Sequence, residues 1–170
     1  MRDIFKDVGG KEDGMVCYTW MESPVGRLLL SADEEGLRHL LFADGPKPVA
    51  PDAGWREDPA PLREAIRQLR AYFSGELRAF GLVLAPRGTR FQTRVWRELL
   101  NIPWGETISY GELAARIGNP KASRAVGLAN GANPIAIVIP CHRVIGGNGK
   151  LTGYGGGMKR KEWLLALEKA

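Results

Sequence analysis

The sequence predicts an α/β (α+β) protein in two parts, a small N-terminal α/β domain over residues 1–86 and a mostly helical C-terminal domain over residues 87–170. Three observations carry this. Met15 to Phe42 alternates apolar and polar residues between turn signals, the pattern of half-buried strands. From Thr89 onward apolar residues recur at helical spacing behind two N-terminal capping signals. Charge divides at the same place: residues 1–86 hold 11 Lys and Arg against 14 Asp and Glu, a net of −3, and residues 87–170 hold 13 against 5, a net of +8.

In the first half, Val16-Cys17-Tyr18-Thr19-Trp20 is the first strand, Ser23-Pro24-Val25-Gly26 a turn, Arg27 to Ala32 the second strand and Leu37 to Phe42 the third, after a turn from Asp33 to Gly36. Cys17 and His39 follow the strand pattern and need no chemical role. A Pro- and Gly-containing connection, Ala43 to Pro59, precedes a helix whose Leu62, Ile66, Leu69 and Phe73 form one apolar stripe closed at Ser74-Gly75. Leu82 to Gly88, with Pro86, is the natural boundary.

In the second half, Thr89-Arg90-Phe91-Gln92 has the spacing of a capping box, and Phe91, Val95 and Leu99 give the following helix its inward face before Ile102-Pro103 stops it. Ser109-Tyr110-Gly111-Glu112 repeats the device for a helix running to about Ile117 and ending at Gly118. Asn119-Pro120 caps and starts another, continuing to about Asn130. Two helices joined by a tight turn make a helix-turn-helix candidate, although an ordinary amphipathic hairpin has the same periodicity. On the second helix Ala122, Ala125, Val126 and Ala129 pack inward, leaving Lys121, Arg124, Gly127, Leu128 and Gly131 outside. That face is small and basic, without the long polar side chains that read a major groove, and it suits close approach to a minor groove.

Composition is that of an ordinary globular protein. No apolar run approaches a membrane span, and Met1 to Asp7 lacks the apolar core of a signal peptide, so the expectation is a cytoplasmic protein with no membrane partner. The two cysteines, Cys17 and Cys141, make no disulfide framework and, even with His39, fall short of a zinc site, so no metal and no cofactor are expected. The +8 half fits a polyanion-binding surface as well as a merely basic one.

Pro140-Cys141-His142-Arg143-Val144 carries the chemistry, directly after the apolar run Ile135 to Ile139. A thiolate is the reactive form of cysteine and needs a base or a cation nearby, which His142 and Arg143 could supply. A bare Cys-His pair also fits a buried cysteine at a strand end. In an extended strand the two side chains point to opposite faces, so they meet only if the chain turns after Pro140 or a water bridges them. Glu162 and Glu168, on the C-terminal helix, are both candidates to orient the imidazole. Gly146-Gly147-Asn148-Gly149 and Gly153-Tyr154-Gly155-Gly156-Gly157 form a loop around an aromatic, suited to a flat ligand rather than to a phosphate.

These residues resemble the O6-alkylguanine-DNA alkyltransferases, the methylated-DNA–protein-cysteine methyltransferases. The likeness runs through Gly88-Thr89, Phe91-Gln92, Val95-Trp96, Ile102-Pro103, Gly105-Glu106-Thr107, Ser109-Tyr110 and Arg124-Ala125-Val126-Gly127, then Asn133-Pro134, Ile139 to Val144, Gly153 to Gly156 and Trp163-Leu164-Leu165 with Glu168. In the first half it rests on layout and on Tyr72 to Leu77. The resemblance implies a ribonuclease H-like N-terminal domain and a winged helix-turn-helix-like motif in the C-terminal one. It implies a self-inactivating methyltransferase that flips O6-alkylguanine, with O4-alkylthymine as a second candidate substrate, out of double-stranded DNA entered from the minor groove and keeps the alkyl group on Cys141. His142 would deprotonate Cys141 through a water, Glu168 would orient His142, and Asn133 would hold the turn before the active-site strand. Arg124 would fill the place of the flipped base, with Lys121, Gly127, Leu128 and Gly131 on the same DNA-facing surface. Tyr110 would assist rotation and protonate the leaving purine, and Val144, Tyr154 and Gly155 would line its pocket. The expectation is a monomer associated with the nucleoid. A cysteine hydrolase and a non-catalytic lesion-sensing DNA-binding protein are the rivals; the sensors lack the acceptor cysteine.

Overall fold

The computed structural model describes residues 5–6, 14–45, 49–151, 153–154 and 156–170, and divides into two compact units, Met1–Arg87 and Gly88–Ala170. Small-sheet and helical content is mixed as an α+β fold requires.

In the first unit β1 (Cys17–Ser23), β2 (Gly26–Asp33) and β3 (Gly36–Phe42) form an antiparallel meander, and a short β4 (Arg56–Glu57) adds in parallel beside β1, giving the order β3-β2-β1-β4. Period-two alternation puts Cys17, Thr19 and Met21 on the inner face. Central β2 is buried from Leu28 to Ala32 because its other face is covered too. There the Ser31 hydroxyl lies 2.7 Å from His39 Nδ1, and the His39 ring lies 5.1 Å from that of Trp55. His39 is therefore a packed and hydrogen-bonded sheet residue.

Helix α1 (Arg63–Phe73) buries Ala65, Gln68, Leu69 and Tyr72, with Leu62 just before it, while Ile66 and Phe73 are half-buried. The stripe is thus rotated from the expected one. The reason is the segment after the helix: Gln68 accepts from the Gly81 N–H at 2.8 Å, and Tyr72 packs on Phe80, centroids 5.3 Å apart. That boundary segment is itself part of the unit's core, since Leu84 bridges Phe5 and Leu37 in parallel.

In the second unit Thr89 caps α2 (Arg90–Leu99) with both bonds of a capping box. Its buried face is Val95, Trp96 and Leu99, with Phe91 only half-buried. Trp96 was not on the expected face; its indole N–H donates to the Ala129 carbonyl at 2.9 Å. A short β5 (Ile108–Ser109) leads into α3 (Tyr110–Arg116). Ser109 caps it through the Glu112 N–H, whereas the Glu112 carboxylate pairs with Arg116 rather than reaching back. Gly118, at φ +82°, turns the chain out of α3 in a conformation that costs glycine little.

The next helix, α4 (Ser123–Gly131), starts later than the Asn119-Pro120 signal suggests, because Ala122 N–H closes a turn on the Asn119 carbonyl and keeps Pro120 and Lys121 outside the helix. Its buried residues are Val126, Ala129 and Asn130; Ala125 is exposed, against expectation, and Ala122 half-buried. The small moment of an Ala- and Gly-rich helix leaves its azimuth to packing. A pair of short parallel strands, β5 with β6 (Val144–Ile145), and the C-terminal helix α5 (Met158–Lys169) complete the unit.

Candidate active site

Cys141 sits on a 3-10 turn, Cys141–Arg143, and not at the end of a strand. The apolar run before it is also no strand. Ile139 N–H returns to the Ile135 carbonyl, Val138 N–H to Ala136, and Ile137 holds φ +71°, all with their side chains buried. A β-branched residue with positive φ is strained by about 1–3 kcal/mol and persists where its surroundings over-determine it. Asn133 does this. Its Oδ1 accepts from the Ile135 N–H at 3.0 Å and its Nδ2 donates to the Ile139 carbonyl at 2.8 Å, tying the two ends of the turn together. The Asn133 side chain also favours the Cys141 thiolate.

The 3-10 turn rotates His142 and Arg143 onto the last turn of α5. His142 Nε2 lies 2.7 Å from Glu168 Oε1, Arg143 Nε donates to Oε2 at 2.8 Å and Nη2 to Oε1 at 2.8 Å, and Arg143 Nη1 donates to the Ile102 carbonyl at 2.5 Å. All three side chains are buried. Of the two candidate carboxylates, Glu168 makes the contact, and Glu162 is exposed on the other face of the helix. Gly105, at φ +82°, lets the loop after α2 lie against the end of α5, where a Cβ would stand 3.1 Å from the Glu168 carbonyl oxygen.

Burial alone would raise the Glu168 carboxyl, but the hydrogen bonds and charges of His142 and Arg143 overcome it and hold it at about 2. Burial pushes the His142 imidazolium down despite Glu168, so His142 is neutral with its proton on Nε2 facing the carboxylate and a lone pair on Nδ1. Burial pushes the Cys141 thiol up, opposed by the Asn133 hydrogen bond and the Lys161 charge. A neutral thiol beside a neutral imidazole is the resting state required for proton transfer coupled to attack. His142 Nδ1 has no partner among the described residues, so the imidazole does not touch the sulfur directly.

Arg143 is spent on Glu168 and Ile102 rather than on the thiol. The cation that acts on the sulfur is Lys161, which the sequence reading missed. It is 0% exposed, donates from Nζ to the Val144 carbonyl at 2.7 Å, and has its ammonium disfavoured by burial but favoured by a Cys141 thiolate. A signal was available. Lys161, Leu164, Leu165 and Glu168 stand at i, i+3, i+4 and i+7, one face of α5, so a carboxylate on that apolar stripe brings the lysine with it.

The remaining residues fall into two groups. Lys121, Arg124, Leu128 and Gly131 are exposed on or beside α4, Leu128 at 75%, while Gly127 is half-buried with Tyr110 against it, a Cβ there meeting the ring at 3.7 Å. The β5–β6 pair, with Ile108 opposite Val144 and Ser109 opposite Ile145, fixes the start of α3, and so Tyr110, next to the chain leaving the Cys141 turn. Val144 is buried and Tyr154 half-buried; Gly155 lies outside the described residues. Among the described residues no three His, Cys, Asp or Glu side chains cluster as metal ligands, and no helix is long and apolar enough to cross a membrane.

Fold and site together define a class: a two-unit α+β protein whose helical unit holds a buried cysteine next to a His-Glu pair, with two helices joined by a tight turn and Arg124 exposed on the second of them. The family described as 6-O-methylguanine DNA methyltransferase matches in both parts, its ribonuclease-like domain at residues 16–86 and its DNA binding domain at residues 90–170, and the chain belongs to that family. It is 59% identical over 151 residues to a methylated-DNA–protein-cysteine methyltransferase of Methanosarcina acetivorans, covering 89% of this chain and 97% of that one. A crystal structure of Mycobacterium tuberculosis O6-methylguanine methyltransferase superposes with a TM-score of 0.85 at 54% identity, covering 91% of this chain and 93% of the other. A structure of the Mycobacterium tuberculosis protein OGT in complex with DNA gives a TM-score of 0.84 at 54% identity over 90% and 92% of the two chains.

Proposed function

We propose that this protein repairs DNA by direct reversal, flipping O6-alkylguanine out of the duplex and transferring the alkyl group irreversibly to Cys141. The observation that carries the reading is the His142–Glu168 contact at 2.7 Å, which leaves the His142 lone pair on Nδ1, in the turn that presents the thiol. Residues 1–86 serve as scaffold, and residues 87–170 carry DNA binding and the acceptor. The chain acts as a monomer on double-stranded DNA entered from the minor groove by α4, and its substrate would place it on the nucleoid in the cytoplasm. Lys121, Arg124, Gly127, Leu128 and Gly131 form the contact surface. Its exposed small residues permit close approach, and Arg124 occupies the stack left by the flipped base.

The transfer is a single displacement at saturated carbon. The Sγ–H proton leaves through water to His142 Nδ1, the S–C bond forms and the C–O6 bond breaks. Tyr110 gives the departing purine a proton, which it regains from solvent as His142 loses its own. Asn133 and Lys161 stabilise the thiolate, and Val144, Tyr154 and Gly155 hold the guanine. The product is a thioether, which nothing in the site is equipped to hydrolyse, so one chain repairs one lesion. Intact-mass spectrometry after titration with methylated duplex is expected to show a gain of one methyl per chain, with lesion loss reaching a plateau at one equivalent. Many equivalents consumed by a chain of unchanged mass would overturn the reading.

Glu168→Gln separates orientation from DNA binding. The variant keeps its affinity for unmodified duplex but loses at least about tenfold in transfer rate, because the imidazolium formed during attack has no counter-charge. It also changes the acid limb of stability. A carboxyl held at about 2 contributes stability that is complete above its unfolded value near 4.5 and is lost as pH falls towards 2. Thermal melts from pH 2 to 7 are therefore expected to fall less steeply in the variant, from a lower plateau caused by the buried, unpaired Arg143. Parallel acid limbs would remove Glu168 from this linkage.

A further inference from the structure

The turn bearing Cys141 is also held by a residue that the proposed transfer does not use. Asn130, near the end of α4 and 4% exposed, donates from Nδ2 to the Cys141 carbonyl oxygen at 3.3 Å. The same oxygen accepts the Val144 N–H that closes the 3-10 turn. Because the amide nitrogen must face that carbonyl, Oδ1 is turned away from it, and this buried oxygen has no donor among the described residues. His142 Nδ1, on the next residue along from Cys141, is a second buried acceptor in the same condition. A buried acceptor left unpaired costs about 1–3 kcal/mol. Both belong to side chains attached to or bonded to the nucleophile's own turn, and buried acceptors in that condition are ordinarily satisfied by an ordered water.

We propose that Asn130 is a positioning residue for the activation of Cys141. Its Oδ1 accepts one hydrogen of the water that carries the thiol proton to His142, and its Nδ2 fixes the carbonyl of the turn. The Sγ–H proton passes to the water oxygen while the water gives its other hydrogen to His142 Nδ1. The hydrogen on Asn130 Oδ1 does not move, the water is regenerated, and the electron pair left on sulfur forms the bond to the alkyl carbon. With one hydrogen anchored on Oδ1, the other is directed at Nδ1 and a lone pair at the thiol, so the transfer needs no reorientation of the water. This role rests on the reading of Cys141 as acceptor and His142 as base.

The test is the pH dependence of Cys141 alkylation in the full chain, by free O6-benzylguanine and, in parallel, by iodoacetamide, which requires no repair activity. Asn130→Leu removes both amide functions at similar volume. Its rate with O6-benzylguanine is expected to fall at least about tenfold near pH 7, with the deficit closing at alkaline pH where the thiol ionises without a relay. Its affinity for unmodified duplex should stay unchanged. Asn130→Asp, nearly isosteric, covers the case in which the leucine variant does not fold, and is expected to shift the whole profile to higher pH by placing a carboxylate against the turn that bears the thiol. Profiles that superimpose on wild type, or a deficit constant with pH that follows lost thermal stability, would overturn the role of Asn130 alone. A wild type that reacts with iodoacetamide at Cys141 but takes no benzyl group from the free base and no methyl from duplex would instead remove the repair reading beneath it.

Discussion

Cys141→Ala is expected to abolish alkyl transfer, leaving less than about one part in ten thousand of the wild-type rate, while DNA affinity stays within a few-fold. The sulfur is the soft nucleophile of the site, and its neighbours cannot replace it. His142 is buried with one nitrogen on Glu168, and Lys161 holds its ammonium against the Val144 carbonyl. Binding survives because the exposed face of α4, not the buried turn, meets the duplex in the proposed complex. The measurement is residual O6-methylguanine in duplex after prolonged incubation, with intact mass recorded on the same samples. Lesion loss in the alanine variant would mean that another residue, or water, performs the chemistry.

Arg124→Ala is expected to slow repair in duplex DNA by on the order of a hundredfold and to leave the reaction with free O6-benzylguanine within about twofold. Unstacking and unpairing a nucleotide costs a few kcal/mol, and filling its place returns part of that. A loss of about 3 kcal/mol in the duplex transition state corresponds to roughly a hundredfold in rate. Arg124 is exposed on α4, one turn before the Gly127 against which Tyr110 lies, whereas the Cys141 thiol is buried, so the proposed role predicts an effect on duplex repair and not on the thiol. Arg124→Lys should recover only part of the loss, since the charge remains but the planar group that stacks does not. Equal losses on duplex and free base would mean that Arg124 supports the fold of the site rather than the extrusion of the base.

The elements of the fold were largely legible. The β1–β3 meander, the Thr89 capping box and the Ser109 cap depend on neighbouring residues, and the structure has them where the pattern puts them. What failed were azimuths and one conformation. Helix α1 turned towards Gln68 and Tyr72 because Phe80 and Gly81 fold back on it, and α4 buried Asn130 and exposed Ala125 because its small side chains impose no face of their own. The run Ile135 to Ile139 has strand composition, yet two brackets from Asn133 and a strained Ile137 fold it into a turn. At the site, the Cys-His pair was readable as adjacent letters. The choice of Glu168 over Glu162, the diversion of Arg143 and the presence of Lys161 depended on which face of α5 meets the turn.

By itself the sequence determined the two-part α+β plan, the basic second half and two capped helices joined by a tight turn, because periodicity, caps and charge are properties of short stretches of chain, and it put forward Cys141 beside His142 as the candidate nucleophile. Only the tertiary structure decided how that nucleophile is set: a thiol kept neutral by burial, an imidazole with its lone pair on Nδ1, and a carboxylate held at about 2 by two partners. Ionisation follows from desolvation and from charges a few ångströms away, and here Lys161 and Glu168 supply such charges from the C-terminal helix, far from Cys141 along the chain, so only packing brings them to bear.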